Sequence, residues 1–303
     1  MFRPWRSFPT MVVSGLVLGL LTGGSPYYPG PIATIALIVA MTLALAEIRL
    51  GGISVRTELR AFSHAFVGNY VVLAGIILVI AWLTTDRDLR SGWVVMAAVP
   101  SAVAVIPLTT IFRGNVRSAL ISSALLYIAA LFLVPAITLA FAGLAVPPSQ
   151  IALQTMLQIG VPLVASRAIV RVPAIERWRP VGVNLSFFVI VTMIAGANRN
   201  AFADLDLVVS LSGAALVRTF GIGLAVLGVA MAARRTWDDR VAWTLFTSFK
   251  NLALCALLAL SLFGFRAAIP AILSLFFEII WLVSLQRLLR LGEKPRSSTA
   301  SAG

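Results

Sequence analysis

The chain has one cysteine and one histidine among its 303 residues. The single Cys255 excludes an intrachain disulfide and any cysteine-based metal cluster. A lone His64 leaves no His-Glu-x-x-His pair or related metal motif. Charge is scarce as well: 12% of residues are charged, 11 acidic against 24 basic. No acidic pair stands at catalytic spacing within an apolar run, and no glycine-rich phosphate loop is present, so an enzyme reading has no motif to rest on. A cleavage site is also missing. The start "MFRPWR" followed by "TMVVSGLVLGLL" resembles a signal peptide, but no Ala-x-Ala-like sequence follows it, so the run is read as a retained helix.

What the chain does have is apolar length. Hydrophobic residues make up 60% of the sequence, gathered in runs of about twenty, which is the length a helix needs to cross a bilayer. The sequence therefore predicts an all-α polytopic membrane protein. Ten spans are expected, at 9–23, 31–50, 64–84, 91–112, 118–142, 151–170, 181–198, 207–233, 241–263 and 267–289. Spanning helices must satisfy all backbone groups within the bilayer, so 1–303 is one transmembrane domain with no soluble module. The net charge of +13 would suit nucleic acid if it covered a folded face. Here it sits in short junctions between apolar runs, so the partners expected are the lipid bilayer and a small molecule, with no nucleic acid.

Those junctions test the segmentation. Alternate junctions, at 1–8, 49–60, 113–117, 167–179, 234–240 and 287–296, hold 18 of the 24 basic residues, whereas the opposite set holds Arg87, Arg90, Arg199 and Arg266. Lys and Arg are enriched in cytoplasmic loops. Both termini are thus expected in the cytoplasm, with the chain in a bacterial inner (plasma) membrane.

Internal symmetry is the next signal. "RGNVRSALISSALL" (113–126) resembles "LFGFRAAIPAILSL" (262–275), pairing Arg117 with Arg266. Each copy joins the fourth span of a half to its fifth. The halves would be 9–142 and 151–289, with 290–303 as a cytoplasmic tail. Five spans per half places them in opposite orientation, the inverted-repeat plan of many secondary transporters. Such transporters also use broken helices. The fourth span carries Pro100 and Pro107, each removing a backbone donor and clashing with the preceding turn, so a break is expected there. The ninth has no proline, and its irregularity would rest on Ser248 and Asn251, whose side chains compete for backbone hydrogen bonds.

At "VPSAVAVIPLTTIFRGNVRSAL" and "FTSFKNLALCALLALSLFGFRAAIPAILS" the chain resembles the bile acid/sodium symporter family, within the superfamily that also holds arsenite permeases and auxin-efflux carriers. The resemblance implies two five-helix inverted repeats, a panel of spans one, two, six and seven against a core of the other six, and broken spans four and nine crossing at the substrate crevice. It also exposes departures. Sodium-coupled members resemble Pro-Gly-Gly-x-x-Ser-Asn in span four and Glu-x-Gly-x-Gln-Asn in span nine. Here Pro100 and Asn251 match, but the Ser-Asn pair is Val105 and Ile106, the glutamate is Phe246 and the glutamine is Lys250. A hard cation needs several oxygen ligands and gains nothing from an ammonium beside it. Sodium coupling is therefore not expected, and Lys250 stands where the family holds the ion.

Lys250 lies nine residues beyond Val241, roughly 13 Å along a helix and near the middle of a bilayer core. An unpaired lysine there costs at least about 2.5–3.5 kcal/mol, so it must face a partner or a wet cavity, or give up its proton. On a helical wheel Thr244, Thr247, Ser248, Asn251 and Cys255 form a polar arc with Lys250 at its edge. Arg218 and Glu278 lie at similar depth in spans eight and ten. Glu278 is expected to pair with one base and leave the other for an anion, unless the three form a closed structural network. The substrate and ion site is assigned to Lys250, Asn251, Ser248, Thr247, Arg218, Glu278, Pro100, Ser101, Thr109 and Thr110, with no metal and no cofactor. The function expected is secondary active transport of a small organic anion by alternating access, independent of sodium and open to proton coupling. The alternatives are an exporter of an uncharged or cationic compound and a non-transporting membrane sensor or assembly subunit.

Overall fold

A computed structural model of the chain describes residues 5, 7–27, 29–46, 55–143, 146–170 and 172–292. Of the basic residues counted above, Arg3, Arg6, Arg49, Arg171, Lys294 and Arg296 lie outside the described residues, as does the tail beyond Gly292. Among the described residues every regular element is a helix.

The chain begins with α1 (Phe8–Thr22) and α2 (Pro29–Leu45). Next, α3 (Val55–Phe66) widens into a π-helical stretch over Val67–Leu73 and continues as α4 (Ala74–Leu83). Two short helices come after it, α5 (Arg87–Ala98) and α6 (Val105–Ile111), then the long α7 (Val116–Ala142). A second π stretch, Met156–Gly160, joins α8 (Pro148–Thr155) to α9 (Val161–Ile169). After α10 (Pro173–Ala197) and the single turn α11 (Arg199–Phe202), α12 (Leu205–Leu216) passes through a π stretch at Val217–Gly221 into α13 (Ile222–Ala232). The chain then forms α14 (Trp237–Ser248) and α15 (Leu252–Phe263), and a 3₁₀ turn at Phe265–Ala268 leads into α16 (Ile269–Gly292). Among the described residues, five stretches are long and apolar enough to cross a membrane: Glu58–Leu83, Val116–Ala142, Ile175–Ala197, Leu205–Ala232 and Phe265–Leu288.

Local chemistry accounts for the helix ends. Asp86 caps α5, accepting from the backbone amides of Asp88 and Leu89 at 3.0 Å each, and Asn115, Asp204, Thr236 and Asn251 cap α7, α12, α14 and α15. Each satisfies a donor that the first turn leaves open. Two C-termini end less comfortably. Arg113 (φ 54) and Arg234 (φ 52) take the left-handed position after α6 and α13. Around Arg234 the amide of Arg235 reaches the Ala230 carbonyl and that of Arg234 reaches Met231, both at 3.0 Å. This hydrogen-bond pair normally selects glycine. A side chain there costs roughly 1–2 kcal/mol.

Packing sorts the junctions into two ends. Glu58 at the start of α3 meets Arg117 (3.4 Å) and Ser118 (2.6 Å) at the start of α7, and Trp237 at the start of α14 donates to the Phe112 carbonyl at 2.8 Å. Three of the basic junctions thus share one end of the bundle. At the other end Asp86 pairs with Arg266 at 2.9 Å. Slight burial raises the Asp86 carboxyl, but the Leu89 amide and Arg266 outweigh it and hold the group below the usual carboxylate range.

The interior closes through small residues, which let membrane helices approach. A Cβ added at Gly92 would lie 2.1 Å from the Ala267 carbonyl oxygen, and one at Gly223 would lie 2.5 Å from the Trp281 ring. The first contact is with backbone, which cannot swing aside. Gly92→Ala is expected to destabilise the fold by about 1–3 kcal/mol, read as a lower unfolding midpoint in detergent. Gly228→Ala, where the added atom meets nothing within 4 Å, serves as the control and should not lower it.

Candidate functional site

The helix that begins at Arg87 stops at Ala98, and the chain runs irregularly from Val99 to Ala104 before α6 starts. The proline argument places a break in this segment, and it falls around Pro100. The second interruption, over residues 249–251 between α14 and α15, forms without proline. Phe249 is extended at φ −112 and ψ 122, and Asn251 restarts the helix by accepting from the Leu254 amide at 3.1 Å. Because the backbone is not helical here, the wheel drawn through Thr244 to Cys255 as one continuous helix does not hold.

The two interruptions meet. Ser101 and Lys250 form an isolated antiparallel bridge, and the Asn251 amide donates to the Pro100 carbonyl at 2.9 Å. Backbone groups freed by each break are partly satisfied by the other, as buried polar backbone requires.

Lys250 is 1% exposed, and its ammonium has four oxygen neighbours. Nζ donates to the carbonyls of Val99 (2.8 Å), Ala97 (3.0 Å) and Asn69 (3.2 Å) and to Asn69 Oδ1 (3.0 Å). It also lies 4.9 Å from the centre of the Tyr70 ring. The positive charge therefore sits at the carbonyl end of α5, the negative pole of that helix. Among the described residues, no carboxylate touches it. Glu278 Oε1 instead accepts from the Lys250 backbone amide at 3.0 Å and from Arg218 Nη2 in a tight ion pair. That carboxylate lies near the amide end of α15, the positive pole. Two further donors of Arg218, Nε and Nη1, reach Thr219 Oγ1 at 3.0 Å and Met96 Sδ at 3.5 Å. With all three side chains ionised, two positive charges face one negative.

The other assigned residues divide into two groups. Pro100, Ser101 and Asn251 belong to the crossing itself. Asn251 Nδ2 donates to the Tyr127 hydroxyl (2.6 Å) and to Met41 Sδ on α2 (3.1 Å). Ser101 is fully buried and its hydroxyl has no partner among the described residues, although its carbonyl accepts from Tyr127 at 3.1 Å. Thr109, Thr110 and Thr247 instead bond back to carbonyls of their own helices. Ser248 does the same, bonding to Thr244, and also accepts from Trp281 Nε1 at 3.0 Å. Val105, Ile106 and Phe246, the residues that depart from the sodium-coupled pattern, are all at most 2% exposed.

Asn69 supplies two of the four oxygens around Lys250, and the sequence reading missed it. An asparagine inside the apolar run "VGNYVVL" was an available signal, since a polar side chain within a membrane span needs an interior partner. Tyr127 gave no comparable signal, because tyrosine is ordinary in an apolar helix. Asn69, Gln158 and Arg218 each occupy a π-helical stretch, a feature often found at functional sites.

The model of the SBF-like CPA transporter family matches residues 23–288, and the chain belongs to that family. No curated protein matches the chain.

Proposed function

We propose that this membrane transporter of the SBF-like CPA family moves a small organic anion by alternating access, without sodium, and that Lys250 provides the positive charge at the crossing that a coupling ion would otherwise supply. The surplus charge carries the reading. Glu278 is taken up by Arg218, which leaves the Lys250 ammonium without a carboxylate partner among the described residues, and a monovalent anion would balance it beside Asn251 and the Ser101 hydroxyl. Four oxygens already surround the ammonium, and Val105, Ile106 and Phe246 offer no side-chain oxygen. That leaves a proton as the coupling ion open to this site.

The position of the breaks favours two inverted repeats, 9–142 and 151–289. The interrupted segments are the fourth and ninth of the expected spans, and the π stretches with Asn69 and Arg218 fall in the third and eighth. Contacts of α10 with α1 and α2, and of α2 with α9, fit a panel that moves against the remaining helices. Basic junctions gathered at one end support a cytoplasmic position for that end and for both termini. A second reading, transport of an uncharged or cationic compound, draws on the same ammonium, since four acceptors already satisfy it.

Uptake of labelled carboxylates into proteoliposomes tests the proposal. Saturable flux that responds to membrane potential or a pH gradient is expected for an anion, and flux of neutral or cationic compounds alone supports the second reading. Raising sodium from zero to about 100 mM at matched ionic strength should leave the unfolding midpoint unchanged, because only a ligand that binds the folded state raises stability. A saturable rise with sodium, absent with potassium, would overturn the sodium-independent part.

A further inference from the structure

A cavity of about 490 Å³ opens between the start of α3 and the turn joining α13 to α14, lined by Arg60, His64, Arg234, Arg235, Thr236 and Asp239. It plays no part in the crossing. Three guanidinium groups face one carboxylate, a surplus of two positive charges before His64 is counted. Among the described residues, no ion pair within 4 Å engages Arg60, Arg234 or Arg235.

Two of these groups are held in place by one indole. The Arg235 guanidinium stacks on Trp243 at 4.8 Å, and the His64 ring meets the same indole edge-on at 5.2 Å. Arg235 Nε is buried with no hydrogen-bond partner among the described residues. Arg234 occupies a left-handed position where glycine would be easier, so its side chain is kept at a conformational cost. Depth matters too. Arg60 lies two residues into the apolar stretch Glu58–Leu83, and Arg234 two residues beyond the end of Leu205–Ala232. The cavity thus sits where both helices leave the apolar layer, the level of lipid headgroups.

We infer that this cavity is a binding site for a phosphate ester, either the headgroup of an anionic phospholipid or a soluble phosphate compound. Arginine forks match phosphate oxygens in pairs. Basic pockets between membrane helices at a cytoplasmic surface suit such headgroups. An occupant would tie α3 to the turn that leads into α14, the helix that ends beside Lys250. The proposal does not depend on which solute is transported.

The test uses the full chain and Arg234→Gly, a change that relieves the left-handed backbone and so leaves the fold at least as stable when no phosphate is present. Unfolding midpoints are compared in nanodiscs of phosphatidylglycerol against phosphatidylcholine, and in detergent with inorganic phosphate against chloride at equal ionic strength. A higher midpoint of the natural chain in phosphatidylglycerol alone, reduced at least by half in Arg234→Gly, identifies the lipid headgroup. A rise with inorganic phosphate, reduced in the same way, identifies a soluble ester. The inference fails if neither condition raises the midpoint, or if Arg234→Gly keeps the whole rise. Arg60→Gln, at an exposed position on the opposite wall, should reproduce the loss and provides a second variant if Arg234→Gly does not fold.

Discussion

Replacing Arg218 by methionine should cost about 3–5 kcal/mol, the usual penalty for removing one partner of a buried ion pair. The side chain is fully buried, and the carboxylate it leaves behind is 6% exposed. Among the described residues, the Lys250 amide alone would remain to satisfy Glu278. Adding Glu278→Gln should recover most of the loss, because the stranded charge disappears while an oxygen is kept for that amide. Adding Glu278→Leu instead should recover less, by about 1–3 kcal/mol, since the Lys250 N–H is then buried without an acceptor. Unfolding midpoints of the single and double variants measure both effects. Equal rescue by Gln and Leu would show that the carboxylate matters only as a counter-charge and does not hold the break.

Lys250→Met should cost about 2–4 kcal/mol and abolish flux. The change removes the donor shared by four oxygens, and buried acceptors left without one are costly. It also removes the charge proposed to hold the substrate. Because the ammonium meets Asn69, Ala97 and Val99 rather than Glu278, Glu278→Gln should not restore stability to Lys250→Met. That outcome contrasts with the rescue expected at Arg218 and separates a lysine that closes a helix end from one that neutralises an acid. Lys250→Arg brings a larger, planar group to the same cage and should destabilise through overpacking, by about 1–3 kcal/mol. Wild-type flux and stability in Lys250→Met would remove the lysine from the proposed function.

The sequence was informative where a feature is local. The twenty-residue apolar runs and the break at Pro100 could be read from composition and from the chemistry of proline. The placing of Lys250, Arg218 and Glu278 at one depth came from counting residues along each run. Three-dimensional partners were harder to see. Nothing near Glu278 indicates that it takes Arg218 and the backbone of Lys250 while the ammonium turns to Asn69. The polar arc through Thr244 and Asn251 assumed a helix that the chain abandons at Phe249, and without a proline the sequence signals that break only weakly. Thr109, Thr110 and Thr247 illustrate another limit. A hydroxyl in an apolar helix looks like a ligand group, yet it often bonds to the turn before it, as all three do here.

The π-helical stretches at Val67–Leu73 and Val217–Gly221 bear on how a lipid bilayer meets these two helices. A π turn accommodates residues beyond the α-helical count, and each added residue rotates the remainder of the helix by about 100°. The stripe that touches acyl chains above the stretch is therefore out of phase with the stripe below it. Each helix is thus two α-helical segments joined by a π stretch, with Val79 exposed after the first stretch and Leu224 and Val229 after the second. Within each stretch the polar residue, Asn69 or Arg218, is fully buried while neighbouring Val67, Val71 and Val217 remain exposed.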